Sequence, residues 1–434
     1  MNISIIGAGY VGLVSGACFA EFGASVTCID NNKGRIEKLN NGIMPIYEPG
    51  LSDLVASNVD SEKLFFTSNL SNSIKDSDLV FIAVGTPARR GDGHADLKYV
   101  YAVAEEIANN LKEDAVIVNK STVPVGTARE VKRVIKKANP KLNFHVASNP
   151  EFLREGSAIN DFMKPDRVIL GLESEHSKNV LSDLYKPLID IKTPILSTDL
   201  ESAELIKYAS NAFLATKVSF INEISLLCEK TGADVHKVAE GMGLDSRIGS
   251  KFLQVGPGYG GSCFPKDTQA LVRMAQENEA STRIVEAVIE VNASQKARMI
   301  SKIRGAIDGS ILDKKIGVLG LTFKAETDDM RDAPSLSILP ALLDKGANII
   351  AHDPEGIEEA KKLLPNSLQY GESIEEVVKD ADAIILMTEW IDYREMDLEL
   401  IKKMMKGDIF IDLRNIFNKK EMKSLGYKYY CIGR

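Results

Sequence analysis

The 434-residue sequence has few cysteines and few histidines, and neither kind of residue is clustered. The five cysteines, at positions 18, 28, 228, 263 and 431, show no paired spacing, so neither a disulfide framework nor a zinc site is predicted. The five histidines, at positions 94, 145, 176, 236 and 352, are equally scattered. No bound metal is therefore expected.

Long apolar segments and an excess of positive charge are also absent. No apolar run is long enough to cross a bilayer, and the start, Met-Asn-Ile-Ser-Ile-Ile-Gly, lacks the basic region of a signal peptide. The net charge of −8 argues against a general nucleic-acid binder. With 44% hydrophobic and 26% charged residues, the sequence predicts a soluble, cytoplasmic protein of two or three domains.

The N-terminal segment has the pattern of a dinucleotide-binding domain. A β-prone run at residues 2–6 leads into Gly7-Ala8-Gly9-Tyr10-Val11-Gly12, and a buried helix is predicted at 13–22. The first glycine permits a tight turn, the second a close approach to a pyrophosphate, and the third packing of the helix on the strand. The N-terminus of that helix attracts phosphate groups.

An acidic residue follows the second predicted strand, residues 24–29. This residue, Asp30, suits the ribose hydroxyls and would repel a 2′-phosphate, so NAD is predicted in preference to NADP. Arg35 lies close by in the sequence. It either weakens this preference slightly or is simply a solvated helix charge.

Polar residues follow two further apolar strands of this domain. The run 79–84 ends before Gly85-Thr86-Pro87, and the run 115–118 ends shortly before Ser121 and Thr122. In a doubly wound parallel sheet, ligands bind at the carboxyl ends of the strands, so these hydroxyl side chains are predicted to meet the cofactor. Alternatively, they only cap the helices that follow.

A charged loop follows the next predicted strand, residues 144–147. It reads Asn149-Pro150-Glu151-Phe152-Leu153-Arg154-Glu155-Gly156. The alternating charges indicate either a solvated cluster or a packed loop. Pro150 and the apolar neighbours favour the packed loop.

A long helix is predicted in the middle of the chain. Ser197-Thr198-Asp199 offers N-cap residues, and nothing breaks a helix before Lys230 and Gly232. Such a helix is about 45 Å long, and its spare face can pair with its own copy in a homodimer. Lys207 and Asn211 point from one face and together suit a sugar oxygen or a developing oxyanion. On spacing alone, a solvated pair is favoured.

The C-terminal part repeats the pattern of the N-terminal part. Residues 316–320 parallel 3–7, and residues 346–353 parallel 23–30. The predicted fold is therefore α/β, with two Rossmann-like doubly wound domains joined by a long central helix. The predicted domains are residues 1–196, 197–300 and 301–434.

The second Rossmann-like domain lacks the glycine fingerprint. In its place stands Gly320-Leu321-Thr322-Phe323-Lys324, which has lost glycines and gained a cation. A different phosphate-bearing ligand is therefore expected, with Lys324, Arg331 and Arg414 as candidate anion contacts. Each of these cations alone is equally consistent with a solvated surface charge.

One stretch, Gly258-Tyr259-Gly260-Gly261-Ser262-Cys263-Phe264-Pro265-Lys266-Asp267, is too rich in glycine for a regular element. Pro265 is predicted to stop any helix, and a new helix is predicted to start near Thr268. A thiol near a helix N-terminus and beside Lys266 ionises more easily, and the thiolate is the nucleophile. Cys263 is either such a nucleophile or a small buried apolar residue.

These motifs together resemble the UDP-glucose/GDP-mannose dehydrogenase family over essentially the whole chain. The specific ones are the N-terminal fingerprint, residues 149–156, 204–213 and 258–267, and Phe323-Lys324 with residues 327–331. The segment 244–253 is similar to the branch that acts on UDP-glucose. Leu413, where many members have glycine, is a mild departure beside Arg414.

The resemblance implies a two-step oxidation of the sugar C6 alcohol of UDP-glucose to a carboxylate with two NAD. The first oxidation gives an aldehyde, and a second hydride can leave only from a tetrahedral carbon. Cys263 is therefore implied to form a thiohemiacetal, whose oxidation gives a thioester that water cleaves.

Site residues are carried over from the family position by position. The implied catalytic residues are Cys263, Lys207 and Asn211 at the oxyanion, Asp267 for proton transfer through a water, and Glu151 with Thr122 for the hydrolytic water. Implied cofactor contacts are Gly7, Gly9, Tyr10, Val11, Gly12, Asp30, Arg35, Thr86, Ser121, Thr122, Glu155, Lys266 and Arg331. Implied substrate contacts are Glu151, Phe152, Leu153, Arg154, Glu155, Lys207, Asn211, Phe252, Leu253, Tyr259, Gly260, Lys324, Arg414 and, from the other subunit, Arg247. The division of base roles among Lys207, Asp267 and Glu151 stays open.

Three other functions are compatible with parts of this pattern. The first is the same chemistry on GDP-mannose or UDP-N-acetylmannosamine. The second is a one-step alcohol dehydrogenase in which Cys263 is structural. The third is a non-catalytic NAD-responsive regulator, against which the intact thiol stretch and the Lys207/Asn211 pair argue.

Overall fold

The computed structural model describes residues 1–89, 93–307 and 310–434. This part of the chain forms two compact units, Met1–Ser210 with Arg273–Ala280, and Asn211–Val272 with Ser281–Arg434. Each unit contains its own largely parallel sheet, and a long helix lies between the two sheets in the sequence. The predicted fold class is therefore confirmed. The predicted three-part domain division stays a prediction.

The first unit is built on an eight-stranded sheet. Its strands are β1 (Asn2–Ile6), β2 (Ser25–Ile29), β3 (Leu64–Thr67), β4 (Leu79–Ile82), β5 (Val116–Asn119), β6 (His145–Ser148), β7 (Val168–Leu172) and β8 (Ile195–Thr198). Their order is β3-β2-β1-β4-β5-β6-β7-β8, and only the β6–β7 pair among them is antiparallel. The chain order reverses between β1 and β4, which is where a doubly wound sheet opens a crevice for ligands.

Helices cover both faces of this sheet, and its central strands are largely apolar and buried. The helices are α1 (Tyr10–Glu21), α2 (Lys33–Asn40), α3 (Leu51–Asp60), α4 (Leu70–Ser73), α5 (Lys98–Ile107), α6 (Thr127–Ala138), α7 (Ala158–Met163), α8 (Glu175–Leu184) and α9 (Lys186–Asp190). Every residue of β4 is buried, as expected for a strand covered on two sides. Two apolar clusters pack against this sheet, one on each face. They fix the carboxyl ends of the strands, which carry the polar residues predicted to bind ligands.

The predicted long helix is α10 (Leu200–Thr231), 32 residues without a break. It is followed by α11 (Val235–Gly243), α12 (Phe264–Glu277) and α13 (Arg283–Ala306). None of the helices in the described ranges is long and apolar enough to cross a membrane.

The predicted start of a helix near Thr268 is wrong. Helix α12 begins at Phe264 and includes Pro265 in its first turn. Proline is tolerated there because the first amides of a helix have no partner within it, and its fixed φ suits the helix. Two helices rather than one follow up to residue 306, since α12 ends at Glu277 and α13 begins at Arg283.

The second unit contains a six-stranded sheet, all of whose neighbouring strands are parallel. Its strands are β9 (Lys315–Leu319), β10 (Asn348–His352), β11 (Gln369–Tyr370), β12 (Ala383–Leu386), β13 (Ile409–Asp412) and β14 (Lys428–Cys431), in the order β11-β10-β9-β12-β13-β14. Its remaining helices are α14 (Ser335–Leu343), α15 (Ile357–Leu363), α16 (Ile374–Val378), α17 (Ile391–Arg394), α18 (Leu398–Met404) and α19 (Lys419–Ser424). The same β9-to-β12 reversal confirms the predicted repeat of the first sheet.

Candidate active site

The glycine fingerprint forms a tight loop between β1 and α1. Gly7 has a φ of +107°, and its amide donates to the carbonyl of Ile29 at 2.7 Å. A Cβ on Gly9 would meet nothing within 4 Å, so a ligand has access to the backbone there. Helix α1 begins after Gly9 without a side-chain cap. These features fit the pyrophosphate of a dinucleotide at the N-terminus of α1.

Gly12 leaves no room for any side chain, because a Cβ there would lie 1.8 Å from the carbonyl oxygen of Gly7. We expect Gly12→Ala to weaken NADH binding by about 10-fold or more and to destabilise the protein by about 1–3 kcal/mol. Gly9→Ala, where space is open, should weaken NADH binding while the melting temperature stays close to that of the wild type. Isothermal titration with NADH and thermal unfolding test both variants. Wild-type NADH affinity in Gly12→Ala would contradict this assignment.

Asp30 directly follows β2 and is held by hydrogen bonds from the fingerprint and from its own loop. Its carboxylate accepts from the amides of Ala8 and Asn32, each at 2.9 Å, and from Arg35 Nη1 at 2.8 Å. The alternative in which Arg35 is only a solvated helix charge is therefore wrong. The arginine instead orients the carboxylate that is predicted to bind the ribose hydroxyls.

The hydroxyl side chains after β4 and β5 lie side by side. Thr86 Oγ1 donates to the carbonyl of Thr122 at 2.8 Å, and Ser121 Oγ donates to that of Val84 at 2.6 Å. The helices that follow, α5 and α6, have no side-chain cap, so the capping alternative is wrong. The three residues line the carboxyl edge of the sheet at the crevice, as predicted from the strand order.

The loop after β6 is packed against the protein and is not a solvated charge cluster, as Pro150 and its apolar neighbours indicated. Glu151 is only 6% exposed, and its Oε1 lies 3.1 Å from Lys207 Nζ, which is 3% exposed. Its other oxygen accepts the amide of Leu153 at 2.6 Å. The Phe152 ring lies 5.1 Å from Lys207 Nζ. The solvated pair favoured by spacing is therefore wrong for Lys207, which forms a buried ion pair with the loop.

The remaining residues of this loop are more open. Arg154 is engaged by Asp161 through two side-chain contacts, at 2.5 Å and 2.9 Å, which leave its side chain half exposed. Leu153 packs on the apolar cluster beneath, and Glu155 is partly exposed. Arg154 and Glu155 therefore reach solvent from a loop whose base is fixed.

Three buried charged residues of this unit were not predicted as site residues from the sequence. Lys120, after β5, donates to Asn149 Oδ1 at 2.9 Å, and burial lowers its pKa to about 8. Glu204 accepts the amides of Gly126 and Ala128 at 2.7 Å and 2.8 Å, and burial raises its pKa to about 7.

Lys120 and Glu204 hold segments next to the site through buried hydrogen bonds, Lys120 the loop after β6 and Glu204 the start of α6. Glu204 stands one turn before Lys207 on α10, so it anchors that part of the helix to the start of α6. The sequence shows Lys120 only as a charge directly after a buried strand, and Glu204 only as an acidic residue in the first turns of the long helix. The third such residue, Glu48, contacts Tyr10, Gly156 and Ala158.

In the second unit, Cys263 stands immediately before α12. Its carbonyl accepts the amide of Asp267 at 2.8 Å, so the thiol sits at the N-terminus of a 14-residue helix. It is partly exposed, whereas the other four cysteines are buried. Its Sγ lies 3.3 Å from Ser262 Oγ. The position, at a helix N-terminus and open to solvent, fits a nucleophile rather than a core residue.

Asp267 is fully buried one turn after Cys263. Its two oxygens accept from Asn211 Nδ2 and from Lys266 Nζ, each at 2.6 Å. Asn211 is itself 6% exposed, so the solvated alternative is wrong for this residue as well. Lys266 is thus tied to the neighbouring carboxylate, which fixes the first turn of α12 around the thiol.

The glycines before Cys263 allow its loop to lie close to the backbone of Arg331 and Asp332. A Cβ on Gly260 would lie 2.5 Å from the carbonyl oxygen of Asp332, and the Gly261 amide donates to the Arg331 carbonyl at 2.8 Å. Tyr259 is held at both its amide and its carbonyl by Asn292. The loop is therefore fixed by the second unit's own residues.

Three other predicted substrate contacts precede this loop. Phe252 adopts a φ of +66°, a strained value for an aromatic residue, and Leu253 beside it is buried. Arg247 pairs with Asp245 at 2.6 Å and is otherwise exposed, with 87% of its side-chain surface open. Its exposure leaves it available for a contact outside this chain.

The second Rossmann-like loop holds its acidic residue more deeply than the first loop holds Asp30, which is 8% exposed. The equivalent acid, Asp353, is 1% exposed, and it accepts the amides of Leu321 and Thr322 at 2.6 Å and 3.1 Å. A Cβ on Gly320 would lie 1.7 Å from Thr388 Oγ1. The loop therefore closes on its own acid, in agreement with the prediction that this domain takes a different ligand.

The candidate anion contacts of this unit are already oriented by protein groups. Lys324 Nζ lies 5.5 Å from the centre of the Phe323 ring, and Arg331 pairs with Asp329 at 2.8 Å. Arg414 donates to the carbonyls of Met387 and Phe323 at 2.7 Å and 2.6 Å. Arg414 thus supports the loop that carries Lys324, and its role as an anion contact stays a prediction. Across residues 1–89, 93–307 and 310–434, no group of metal-ligating side chains was found.

Three domain models of the UDP-glucose/GDP-mannose dehydrogenase family match consecutive parts of the chain. The NAD binding domain matches residues 1–189, the central domain 201–294 and the UDP binding domain 317–419.

Relatives of known name match over the full length. The chain is 53% identical to a UDP-glucose 6-dehydrogenase of Rhizobium meliloti (strain 1021), with 100% of both chains covered. It is 48% identical to the UDP-glucose 6-dehydrogenase TuaD of Bacillus subtilis (strain 168), covering 100% of this chain and 93% of that one. A solved UDP-glucose dehydrogenase from Pyrobaculum islandicum is 37% identical with a TM-score of 0.91, covering 99% of this chain and 96% of that one.

Proposed function

The chain belongs to the UDP-glucose/GDP-mannose dehydrogenase family, and we propose that it oxidises UDP-glucose to UDP-glucuronate in two NAD-dependent steps through a covalent intermediate on Cys263. One observation carries the covalent step. Among five cysteines, Cys263 alone is partly exposed, and it sits at a helix N-terminus beside a buried Asp267–Asn211 pair.

The overall reaction balances as one alcohol, two NAD⁺ and one water giving one carboxylate, two NADH and three protons. NAD, when bound at the fingerprint, accepts a hydride from C6 in each oxidation. In the first step the C6 hydroxyl also loses its proton and becomes an aldehyde. Lys207, with Asn211, stabilises the negative charge that develops on the oxygen. Asp267 accepts the proton through a water.

In the second step the Cys263 thiolate bonds to the aldehyde carbon. This makes the carbon tetrahedral, so its remaining hydrogen can leave with its electron pair and a thioester results. Glu151, with Thr122, directs a water onto that thioester. The C–S bond breaks, the carboxylate forms, and the thiolate returns.

In this proposal the UDP part of the substrate binds to the second Rossmann-like unit. The loop after β9 offers the cation Lys324 in place of glycines, and Arg331 lies further along the same loop. Arg414, after β13, donates a hydrogen bond to the carbonyl of Phe323 in that loop. The proposed sugar contacts of this unit are Phe252, Leu253, Tyr259 and Gly260. Those of the first unit are Phe152, Leu153, Arg154 and Glu155. The uronate product suits later glycosyl transfer into a polysaccharide.

The choice of sugar nucleotide can be tested directly. We expect rapid NADH formation with UDP-glucose and, at equal concentrations, rates lower by about 10-fold or more with GDP-mannose and UDP-N-acetylmannosamine. Initial rates at 340 nm, with each substrate in turn, measure this. An inert UDP-glucose with an active competitor would move the substrate assignment to that competitor while leaving the two-step chemistry in place.

The proposal includes a homodimer formed through α10. Large apolar side chains recur on one exposed stripe of this helix at near-heptad spacing: Leu205, Phe213, Phe220 and Leu227, which are 44%, 65%, 45% and 58% exposed. A stripe of this kind suits the same stripe of a second copy. All five cysteines lie within the described residues and none forms a disulfide, which agrees with a reducing, cytoplasmic location that is also part of the proposal.

A charge on this stripe should separate the subunits. Phe213→Asp is expected to shift the protein from dimer to monomer at micromolar concentration, because two carboxylates would be buried without partners. Light scattering coupled to size exclusion measures the mass. Leu363→Asp, at a side chain 54% exposed on α15, is the matched control and should stay dimeric. A wild-type monomer, or a dimeric Phe213→Asp variant, would contradict the assigned interface.

A further inference from the structure

Glu48 is a buried carboxylate that the proposed chemistry leaves without a role. It lies in the loop Tyr47-Glu48-Pro49-Gly50 before α3 and is 6% exposed. Its carbonyl accepts the amide of Leu51, which is fully buried, so the backbone position is fixed by the core. A buried carboxylate is costly unless its oxygens receive hydrogen bonds, so its partners identify what it holds.

Those partners belong to two functional segments of the first unit. Glu48 Oε2 accepts both the hydroxyl of Tyr10, inside the glycine fingerprint, and the amide of Gly156, at 2.6 Å. Its other oxygen accepts the amide of Ala158 at 2.7 Å. One carboxylate oxygen is therefore shared between the first residue of α1 and the end of the loop that carries Glu151.

The backbone of that loop is shaped for this contact. Gly156 has a φ of +80°, a conformation that favours glycine and turns its amide toward Glu48. Ala158 is fully buried and begins α7, while Leu153 and Tyr10 pack on the same apolar cluster. The loop thus has a fixed base, and Glu48 is the polar group that connects it to the fingerprint.

We propose that Glu48 is a positioning residue that couples occupancy of the dinucleotide fingerprint to the geometry of residues 151–157. A cofactor that settles at the N-terminus of α1 orders Tyr10, and the shared oxygen transmits that order to the Gly156 and Ala158 amides. Because such coupling is reciprocal, ordering of the loop by a sugar nucleotide also tightens the cofactor site. The catalytic meaning of this coupling rests on the proposed function, since the loop carries Glu151.

Hydrogen exchange of the full-length protein with NADH alone tests the coupling without any sugar nucleotide. In the wild type, NADH should slow exchange of the amides in residues 155–158 by about 5-fold or more. In Tyr10→Phe the amides keep Glu48 as acceptor, so exchange without NADH should stay near the wild-type rate. The slowing on NADH addition should fall to less than about 2-fold, because the hydroxyl link is gone.

Glu48→Gln probes the same oxygen from the other side. An amide can accept only one of the two backbone amides, so exchange of residues 155–158 should be faster even without NADH, and the NADH effect should again be lost. Tyr427→Phe removes a buried hydroxyl that donates to the Leu398 carbonyl at 2.8 Å, and it should keep the wild-type NADH effect. If Glu48→Gln does not fold, Tyr10→Phe alone decides the matter.

Two results would overturn the inference. The first is a wild-type protein that binds NADH without any slowing in residues 155–158. The second is full slowing in Tyr10→Phe, which would mean that the cofactor orders the loop by direct contact. A failure of UDP-glucose turnover affects neither outcome, so an error in the proposed substrate is distinguishable from an error about Glu48.

Discussion

Replacing Cys263 by serine should stop the reaction after the first oxidation or trap the sugar on the enzyme. Serine keeps the size of the side chain but removes the thiolate, and an uncharged hydroxyl is a far weaker nucleophile toward the aldehyde. We expect multiple-turnover NADH formation to fall by at least about 10³-fold, a loss typical of removing a catalytic nucleophile. Stopped-flow NADH absorbance and intact mass of the protein after mixing measure the residual reaction and any adduct.

Cys228→Ser provides a matched control in the same unit. Cys228 is 3% exposed within an apolar cluster, so the same chemical change there should lower stability slightly and leave turnover per folded molecule unchanged. Wild-type turnover in Cys263→Ser would refute the nucleophile and favour the one-step alternative with a structural cysteine.

Removing the Lys207 ammonium should damage both catalysis and stability, for separable reasons. Lys207→Met removes the cation that stabilises the oxyanion, and we expect kcat to fall by about 10²–10³-fold. It also leaves Glu151, 6% exposed, without its buried partner, which should cost about 3–5 kcal/mol in the free energy of unfolding.

A double variant separates these two effects. In Lys207→Met/Glu151→Gln the uncompensated charge is gone, so most of the lost stability should return, as urea unfolding would show. Activity should stay as low as in the single variant or lower, since both proposed functions are missing. Recovery of activity together with stability would mean that the pair is only structural.

Strands and the fingerprint were predictable because they depend on local pattern. The runs that became β1, β4 and β5 are each short, buried along almost their whole length and followed by turn residues, so their sequence alone indicates parallel strands. The missing glycines at 320–324 likewise predicted a different second domain. In the structure, the amides of Leu321 and Thr322 in this segment donate to the buried Asp353, which gives the physical reason for the difference.

Burial of the polar site residues was not predictable from local spacing. Lys207 and Asn211 lie on one face of a helix, and this spacing is equally consistent with a solvated pair and with a binding site. Their partners, Glu151 and Asp267, are each 56 residues away in the sequence. Glu48 is a stronger case, since the amides that it holds lie 108 and 110 residues further along the chain. Only the fold brings such groups together.

The start of α12 shows a different limit. Proline ends helices in their interior but is accepted in the first turn, and the sequence does not say which position Pro265 occupies. The structure places it in the first turn, so the helix reaches back to Phe264 and its N-terminus meets Cys263. That one-turn difference is what brings the thiol directly to the N-terminus of the helix.

The central claim, oxidation in two steps through Cys263, is tested most directly by counting NADH released per UDP-glucose consumed. With limiting UDP-glucose and excess NAD, absorbance at 340 nm gives the NADH and chromatography gives the remaining sugar nucleotide. The account predicts two NADH for each UDP-glucose, with UDP-glucuronate as the product. One NADH for each UDP-glucose, with an aldehyde as the product, would contradict it.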